Sequence, residues 1–423
     1  MDLQTLDLVA RDYVRAVLSL GVHDADYVDA YYGPPAWKAE VEAEKPDLNT
    51  IRDRASGILE SLKALEGDMG QASRSRVEYL KAQVRALLTR IRILEGARLA
   101  FDEESDLLYD AVAPHYDEGH FLKLLAALDG VIPGTGPAPE RFDRFRAQFV
   151  IPIDRLDAVF SAAIDEARRR TQRWIPLPAG ESFRLEYVKG KTWSGYNWFQ
   201  GGSRSLIQIN TDLPITIDRA IDLASHEGYP GHHVYNVVIE RDLVLGHGWK
   251  EFSVYALFSP QSLIAEGTAN YGVTMAFPAG ERVEFERSRL FPLAGLDPES
   301  AGRYYEAHDL SLRLKYAGNE AARLYLDGEI SRADAVEWLV TYALMSRQRA
   351  EQRTRFFDQY RSYVINYNLG QDMVEGYIAR EAGSDHSEAR RWEIFSRLLS
   401  SPQTPSRLSQ AMEALLSSGY TPR

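Results

Sequence analysis

Cysteine is absent from the 423 residues of this chain. No disulfide can form, and no thiolate is available as nucleophile or ligand, so any bound metal must be held by imidazole and carboxylate. Long apolar runs are absent too. Nowhere do about eighteen apolar residues follow one another, the length a membrane-spanning helix needs. The N-terminal stretch is interrupted by Asp7, Arg11, Asp12 and Arg15, a pattern of neither a signal peptide nor a span. Positive charge is in deficit. A net charge of −12 argues against nucleic acid and anionic membrane as partners. These absences lead to the expectation of a soluble, cytosolic protein without internal repeats.

Apolar residues make up 45% of the chain, enough for a substantial core. Ile221 to Asn236 reads IDLASHEGYPGHHVYN and concentrates three of the nine histidines, His226, His232 and His233, beside Glu227. Apolar residues lead in (Ile217, Ile221, Leu223) and out (Val234, Val237, Val238). Burying such polar groups unpartnered costs several kcal/mol, and a metal ion is the simplest partner. In the HExxH motif the second histidine falls at i+4, on the same helix face. Here Pro230 stands at i+4 and His232 at i+6. Pro230 cannot donate to the carbonyl of His226, and Gly231 permits unusual backbone. The expectation is a helix bulged at Pro-Gly that returns His232 to the metal side, with His233 as the alternative ligand.

Catalytic zinc takes three protein ligands and keeps one position for water. Glu266, inside the apolar helical pattern SLIAEGTANYG (Ser262 to Gly272), is the candidate third ligand. Glu227 is then the candidate general base. Tyr367 and Tyr363, on the way to Gly370-Gln371, are candidate oxyanion donors, and Arg361 a candidate partner for a peptide carboxylate.

His226, Glu227, Pro230, Gly231, His232 and His233, followed by Glu266, Gly267, Ala269 and Tyr271, resemble the motifs of a large bacterial family called domain of unknown function 885, related to the gluzincin metallopeptidases. Weaker matches follow at Arg323, Leu324 and Asp327, and at Gly370-Gln371. Thr268, Asn270 and Leu369 depart from the family pattern, and a histidine found after the Asp327 position has no counterpart. The resemblance implies a metallohydrolase with one zinc ion, acting on peptides. The same site admits two other readings: hydrolysis of a non-peptide amide or ester, and a helical binding protein without activity.

The fold class expected is mainly α, a two-lobed helical zincin-like fold with a small antiparallel β-sheet beside the metal helix. Leu6, Ala10, Tyr13, Val14, Val17 and Leu18 form a helical stripe. Tyr27 to Trp37, rich in aromatics and proline, reads as a loop anchored on the core or lining a substrate channel. Val77, Leu80, Val84, Leu87 and Ile91 mark a longer helix whose Arg76, Lys81, Arg85 and Arg90 are expected in solvent. Asp102, Glu103, Glu104 and Asp106 read as a solvated helix start. Pro176 and Pro178 mark the boundary between an N-terminal lobe, 1–175, and a catalytic lobe, 176–423. Three short strands follow, around Phe183 to Val188, Trp193 to Trp198 and Ser205 to Asn210, with Gly201-Gly202 as a turn. Ser331 with Asp334 resembles a capping box.

Overall fold

The computed structural model describes residues 3–65 and 70–416. Helix accounts for 68% and strand for 7%, so the class is mainly α with small sheets, as the apolar periodicity implies. The first helix, Leu3–Gly21, buries all six residues of the expected stripe. The helix Gln71–Leu94 likewise turns Val77, Leu80, Val84, Leu87 and Ile91 inward. Ser331 and Asp334 form the expected capping box at the start of Arg332–Tyr342. One hydrophobic cluster extends from Leu6 to Leu408 and includes Ile175, at the position of the expected boundary between lobes.

The charged face of Gln71–Leu94 departs from expectation. Arg76 is buried, paired with the buried Glu251 and, at 2.6 Å, with Asp7. Arg90 pairs with Asp24 at 2.7 Å. Arg85 alone of these three is exposed. A helix packed on two sides has a broader buried sector than its apolar residues mark out, and arginine enters it when a carboxylate from another element meets it. Those partners lie far away in sequence, so periodicity does not show them.

Tyr27 to Trp37 is more ordered than a loop. Val28–Tyr31 forms strand β1, paired antiparallel with the later strand Val254–Ala256, and Pro35 opens the helix Pro35–Glu44. The three strands before the metal segment form as expected: β2, Ser182–Val188; β3, Gly195–Gly201; and β4, Arg204–Asn210, with Val254–Ala256 as β5. Gly201 and Gly202 make the β3–β4 turn with φ of 75° and 61°, a region open to glycine. The sheet is mixed, however, not wholly antiparallel. Its order is β2-β4-β3, with β4 antiparallel to β3 and parallel to β2. The hairpin is laid beside β2 with its second strand innermost. That leaves β3 as an edge, next to the metal segment.

Two later helices, Pro260–Ala276 and Ile365–Ala382, cross backbone to backbone at Gly267 and Gly370. A Cβ on Gly267 would collide with the carbonyl oxygen of Gly370, and a Cβ on Gly370 would lie 2.6 Å from that of Leu263. Two separated motif glycines are thus one contact. Gly267→Ala should therefore destabilise the protein by about 1–3 kcal/mol through overpacking, seen as a lower Tm. An unchanged Tm would show that the helices part without cost.

Candidate metal centre

The segment around His226 does not bulge; it stops and restarts. The helix Asp218–Leu223 passes into a π-helical turn, Ala224–Gly228, and a new helix runs from His232 to Ile239. Between them Tyr229-Pro230 is a cis peptide. The Gly231 N–H turns back to the carbonyl of Ser225 at 2.9 Å. A Cβ on Gly231 would sit inside the carbonyl oxygens of Ser225 and His226, so no other residue fits this return. His226 thus sits in the π-helical turn that closes one helical segment at Gly228, and His232 begins the next.

This geometry brings the two imidazoles together. Nε2 of His232 lies 3.1 Å from Nε2 of His226. Oε2 of Glu266, on the helix Pro260–Ala276, lies 3.2 Å from His226 Nε2 and 3.7 Å from His232 Nε2. Among the described residues these three form the one group of His and carboxylate ligand atoms close enough to share an ion.

Neighbouring contacts decide which atoms are available. Asn270 Nδ2 donates to the carbonyl of Tyr367 at 2.8 Å, so its Oδ1 faces His226 Nδ1, at 2.9 Å. An amide oxygen only accepts, hence His226 carries its proton on Nδ1 and points the Nε2 lone pair inward. Glu266 is fixed the same way. Tyr363 donates its hydroxyl to Oε1 at 2.8 Å, while Oε2 is buried with no hydrogen-bond donor. Burial works to raise the Glu266 pKa, but positive charge placed among the imidazoles more than offsets it and holds the carboxyl well below the usual range. A lone pair, a second imidazole nitrogen and an orphaned carboxylate oxygen converge on one point. Two histidines and a glutamate are a donor set of catalytic zinc sites, and these residues fit that ion.

Glu227 stands beside this group with a different environment. Its carboxylate has no hydrogen-bond partner among the described residues and lines the adjoining cleft. Burial, with the charge of Glu266 added, pushes it up to about 7 against the pull of His232. Strand β3 is held against it. Asn197 Nδ2 donates to its main-chain carbonyl at 2.7 Å. A Cβ on Gly195 would fall 2.8 Å from Glu227 Oε1, so glycine there is what lets the strand lie so close. The cleft encloses about 450 Å³ and is walled by Asp29, Tyr196, Arg353, Tyr360 and Tyr367 among others, a size suited to a small organic ligand.

Three expected roles need correction. His233, the alternative ligand, is wholly buried and turned away: Nε2 meets Glu181 Oε2 and Nδ1 meets Ser205 Oγ, each at 2.9 Å. It fastens the segment to β4. Arg361 is not open to a substrate carboxylate. Its Nε donates to Glu104 Oε2 at 2.6 Å, and the Ser362 hydroxyl donates to Glu104 Oε1 at 2.6 Å. Glu104, expected in solvent, is therefore buried and sets the turn Arg361–Val364. Tyr363, expected as an oxyanion donor, has its hydroxyl committed to Glu266. Tyr367 is half-buried on the cleft wall, and its hydroxyl has no partner among the described residues. Burial keeps its pKa well above the ordinary value, so it stays protonated.

Sequence reasoning passed over Asn270, Asp29 and Arg353. Asn270 was legible as the residue four after Glu266, on the same helix face. Asp29 enters the cleft through the β1–β5 pairing. Burial pushes it up to about 7, and Tyr196 donates its hydroxyl to it. The weaker motif Arg323 to Asp327 is structural. Arg323 pairs with Glu320 and Asp102, and Asp327 Oδ1 accepts from Phe101 N–H at 2.8 Å, capping the helix Phe101–Tyr109.

No family model matches this chain, and no curated protein matches it. The resemblance to domain of unknown function 885 therefore rests on the quoted motif residues. Solved structures align with this chain. A Colwellia psychrerythraea protein proposed to be a lipoprotein aligns over 88% of this chain and 70% of its own, with a TM-score of 0.52 and 14% identity. A Shewanella oneidensis protein of unknown function, likewise proposed to be a lipoprotein, aligns over 90% and 76%, at 0.48 and 13%. Trypanosoma cruzi metallocarboxypeptidase 1 aligns over 99% and 96%, at 0.48 and 12%. Likeness at this level concerns fold alone. The cytosolic expectation is withdrawn, since the Colwellia neighbour is described as a proposed lipoprotein; that description belongs to the neighbour and assigns this chain no compartment. Among the described residues no helix is long and apolar enough to cross a membrane, and that fact assigns no compartment.

Purified protein dialysed against zinc should bind a single equivalent. His226→Ala or Glu266→Ala should abolish binding, and Asn270→Ala should weaken it by roughly 10–100-fold through loss of the partner that orients His226. Equal zinc affinity in all four proteins would remove this centre.

Proposed function

We propose that the protein is a zinc-dependent peptidase, with His226, His232 and Glu266 as ligands to one ion. The observation that carries this reading is the convergence of ligand atoms lacking donors beside a carboxylate, Glu227, that is also free. Zinc held there supplies a Lewis acid that acidifies water and polarises a carbonyl. The chain's own residues do the remainder. Glu227, with a pKa close to neutrality, accepts the proton of the attacking water and passes it to the departing amine. Tyr367 offers its phenolic hydrogen to the carbonyl oxygen as charge builds there. Tyr363 holds Glu266 in orientation and keeps its hydroxyl out of the reaction.

A peptide is favoured over a compact amide or ester by strand β3. It is the edge of its sheet and borders the cleft through Gly195, Tyr196 and Asn197. An extended chain gains main-chain hydrogen bonds by adding to such an edge. The parts 1–175 and 176–423 would then act as one unit, since Asp29 from the first shares the cleft with the ligands from the second.

Zinc-loaded protein should cleave members of a mixed peptide library, detected by mass spectrometry, and a chelator should stop the cleavage. Glu227→Gln should retain zinc and lose roughly 10²–10⁴-fold in kcat. Tyr367→Phe should lose roughly 10²–10³-fold in kcat, as removal of one oxyanion donor does elsewhere. Zinc binding without peptide cleavage would favour the amide or ester hydrolase. A protein that binds no zinc would favour the binding protein.

A further inference from the structure

Three arginines line the cleft: Arg219, Arg282 and Arg353. Two are neutralised. Arg219 pairs with Asp222 at 3.3 Å, and Arg282 pairs with Asp222 at 2.9 Å and Glu286 at 3.0 Å. Arg353, on the helix Arg347–Tyr360, has no ion pair and no hydrogen bond among the described residues, and its Nε is buried without an acceptor. Burial pushes its pKa down, which expresses the same want of a counter-charge.

What surrounds Arg353 is aromatic. Its guanidinium carbon lies 4.6 Å from the ring centre of Phe356, 5.6 Å from Phe357 and 5.7 Å from Tyr367. Stacking uses the faces of a guanidinium and leaves the in-plane N–H fork free. That fork matches a carboxylate, which accepts two parallel hydrogen bonds from it. The rings also restrict the side chain before any ligand arrives. Glu266 is no substitute partner, because its oxygens already face Tyr363 and the two imidazoles. Yet Arg353 is close to the metal ligands by contact: it stacks on Tyr367, whose carbonyl holds Asn270, which holds His226.

We propose that Arg353 anchors the free carboxylate of a substrate's C-terminal residue, so that the cleft works on peptides from the carboxyl end. The proposal rests on the hydrolase reading above and specifies its substrate class. With the terminal carboxylate on Arg353, the last peptide bond is presented to Glu227. Water oxygen adds to the carbonyl carbon of that bond, its C–N bond breaks, and Glu227 carries the water proton to the amine. The products are a shortened peptide and a free amino acid. Arg361, the arginine first marked for this role by sequence, lies eight residues further on and is spent on Glu104.

A peptide library made as free acids and again as C-terminal amides tests this on the zinc-loaded protein. Free acids should lose single residues from the C-terminus, and amides should react at least roughly 30-fold more slowly, the loss typical of deleting one partner of a desolvated charge pair. Arg353→Gln should raise KM for the acids and remove the difference, while Arg353→Lys should restore part of it. Equal cleavage of acids and amides, or cleavage at internal bonds, would overturn the proposal. If neither library is cut, the hydrolase reading fails separately, and calorimetric titration of an N-acetyl tripeptide acid against its amide still reports on Arg353. Preference for the acid that disappears in Arg353→Gln supports the anchor; equal affinity overturns it.

Discussion

Two imidazole nitrogens face each other at 3.1 Å, and the proton that would make one a donor is held elsewhere, on the far side of the His226 ring. Much of the surrounding structure follows from maintaining that arrangement. A helix alone cannot do it, because residues six apart are out of phase on regular helical geometry. The chain therefore carries His226 in a π-helical turn that ends at Gly228 and begins another helix at His232. That turn and the return at Gly231 are the local cost of the convergence. Asn270 then fixes the tautomer, and Tyr363 fixes the carboxylate. The outer partner of each ligand matters as much as the ligand, since an imidazole free to rotate or to exchange tautomers would not present its lone pair.

The same demand reaches into the N-terminal helices. Tyr363 is positioned by a tight turn in which Arg361 adopts φ of 50°, a strained region for a side chain of its size. Glu104 holds that turn, receiving both Arg361 and Ser362. Its own helix is capped by Asp327 and tied by Arg323 through Asp102. A sequence of contacts thus runs from Glu104 to Glu266, and motif residues that never touch the cleft earn their place by supporting it. Close backbone approach does similar work at Gly195 and at the Gly267–Gly370 crossing, where any side chain would push Glu227 or the ligand-bearing helix out of line.

Local features were legible in the sequence. The helical stripe of Leu6 to Leu18, the three strands and the capping box at Ser331 express short-range rules of period and turn, and residue type alone marked His226, His232 and Glu266 as candidate ligands. What stayed hidden depended on partners distant in the chain. Arg76 and Arg90 look like surface residues until Glu251 and Asp24 meet them. His233 looks like a ligand until Glu181 and Ser205 claim it. Arg361 and Arg353 are indistinguishable in an arginine-rich stretch, and only tertiary contacts show that one is occupied and the other open. The parallel pairing of β2 with β4 was hidden too, because strand periodicity carries no information about order.

Glu227 and Glu266 show how environment divides the labour of one residue type. Both are buried, and burial alone would raise both. Glu266 receives a phenol on one oxygen and two imidazoles near the other, which favour its charged form and suit it to hold a cation. Glu227 receives no donor to its carboxylate, because β3 approaches it with a glycine and gives its hydrogen bond to the main chain instead. Its proton affinity is left near neutrality, where a group gives and takes protons with equal ease. A cation bound by the neighbouring ligands would lower that affinity and favour the base form. Separation of the two pKa values thus follows from burial and the neighbouring Glu266 charge acting on Glu227, and from the favourable partners that the fold supplies to Glu266 alone.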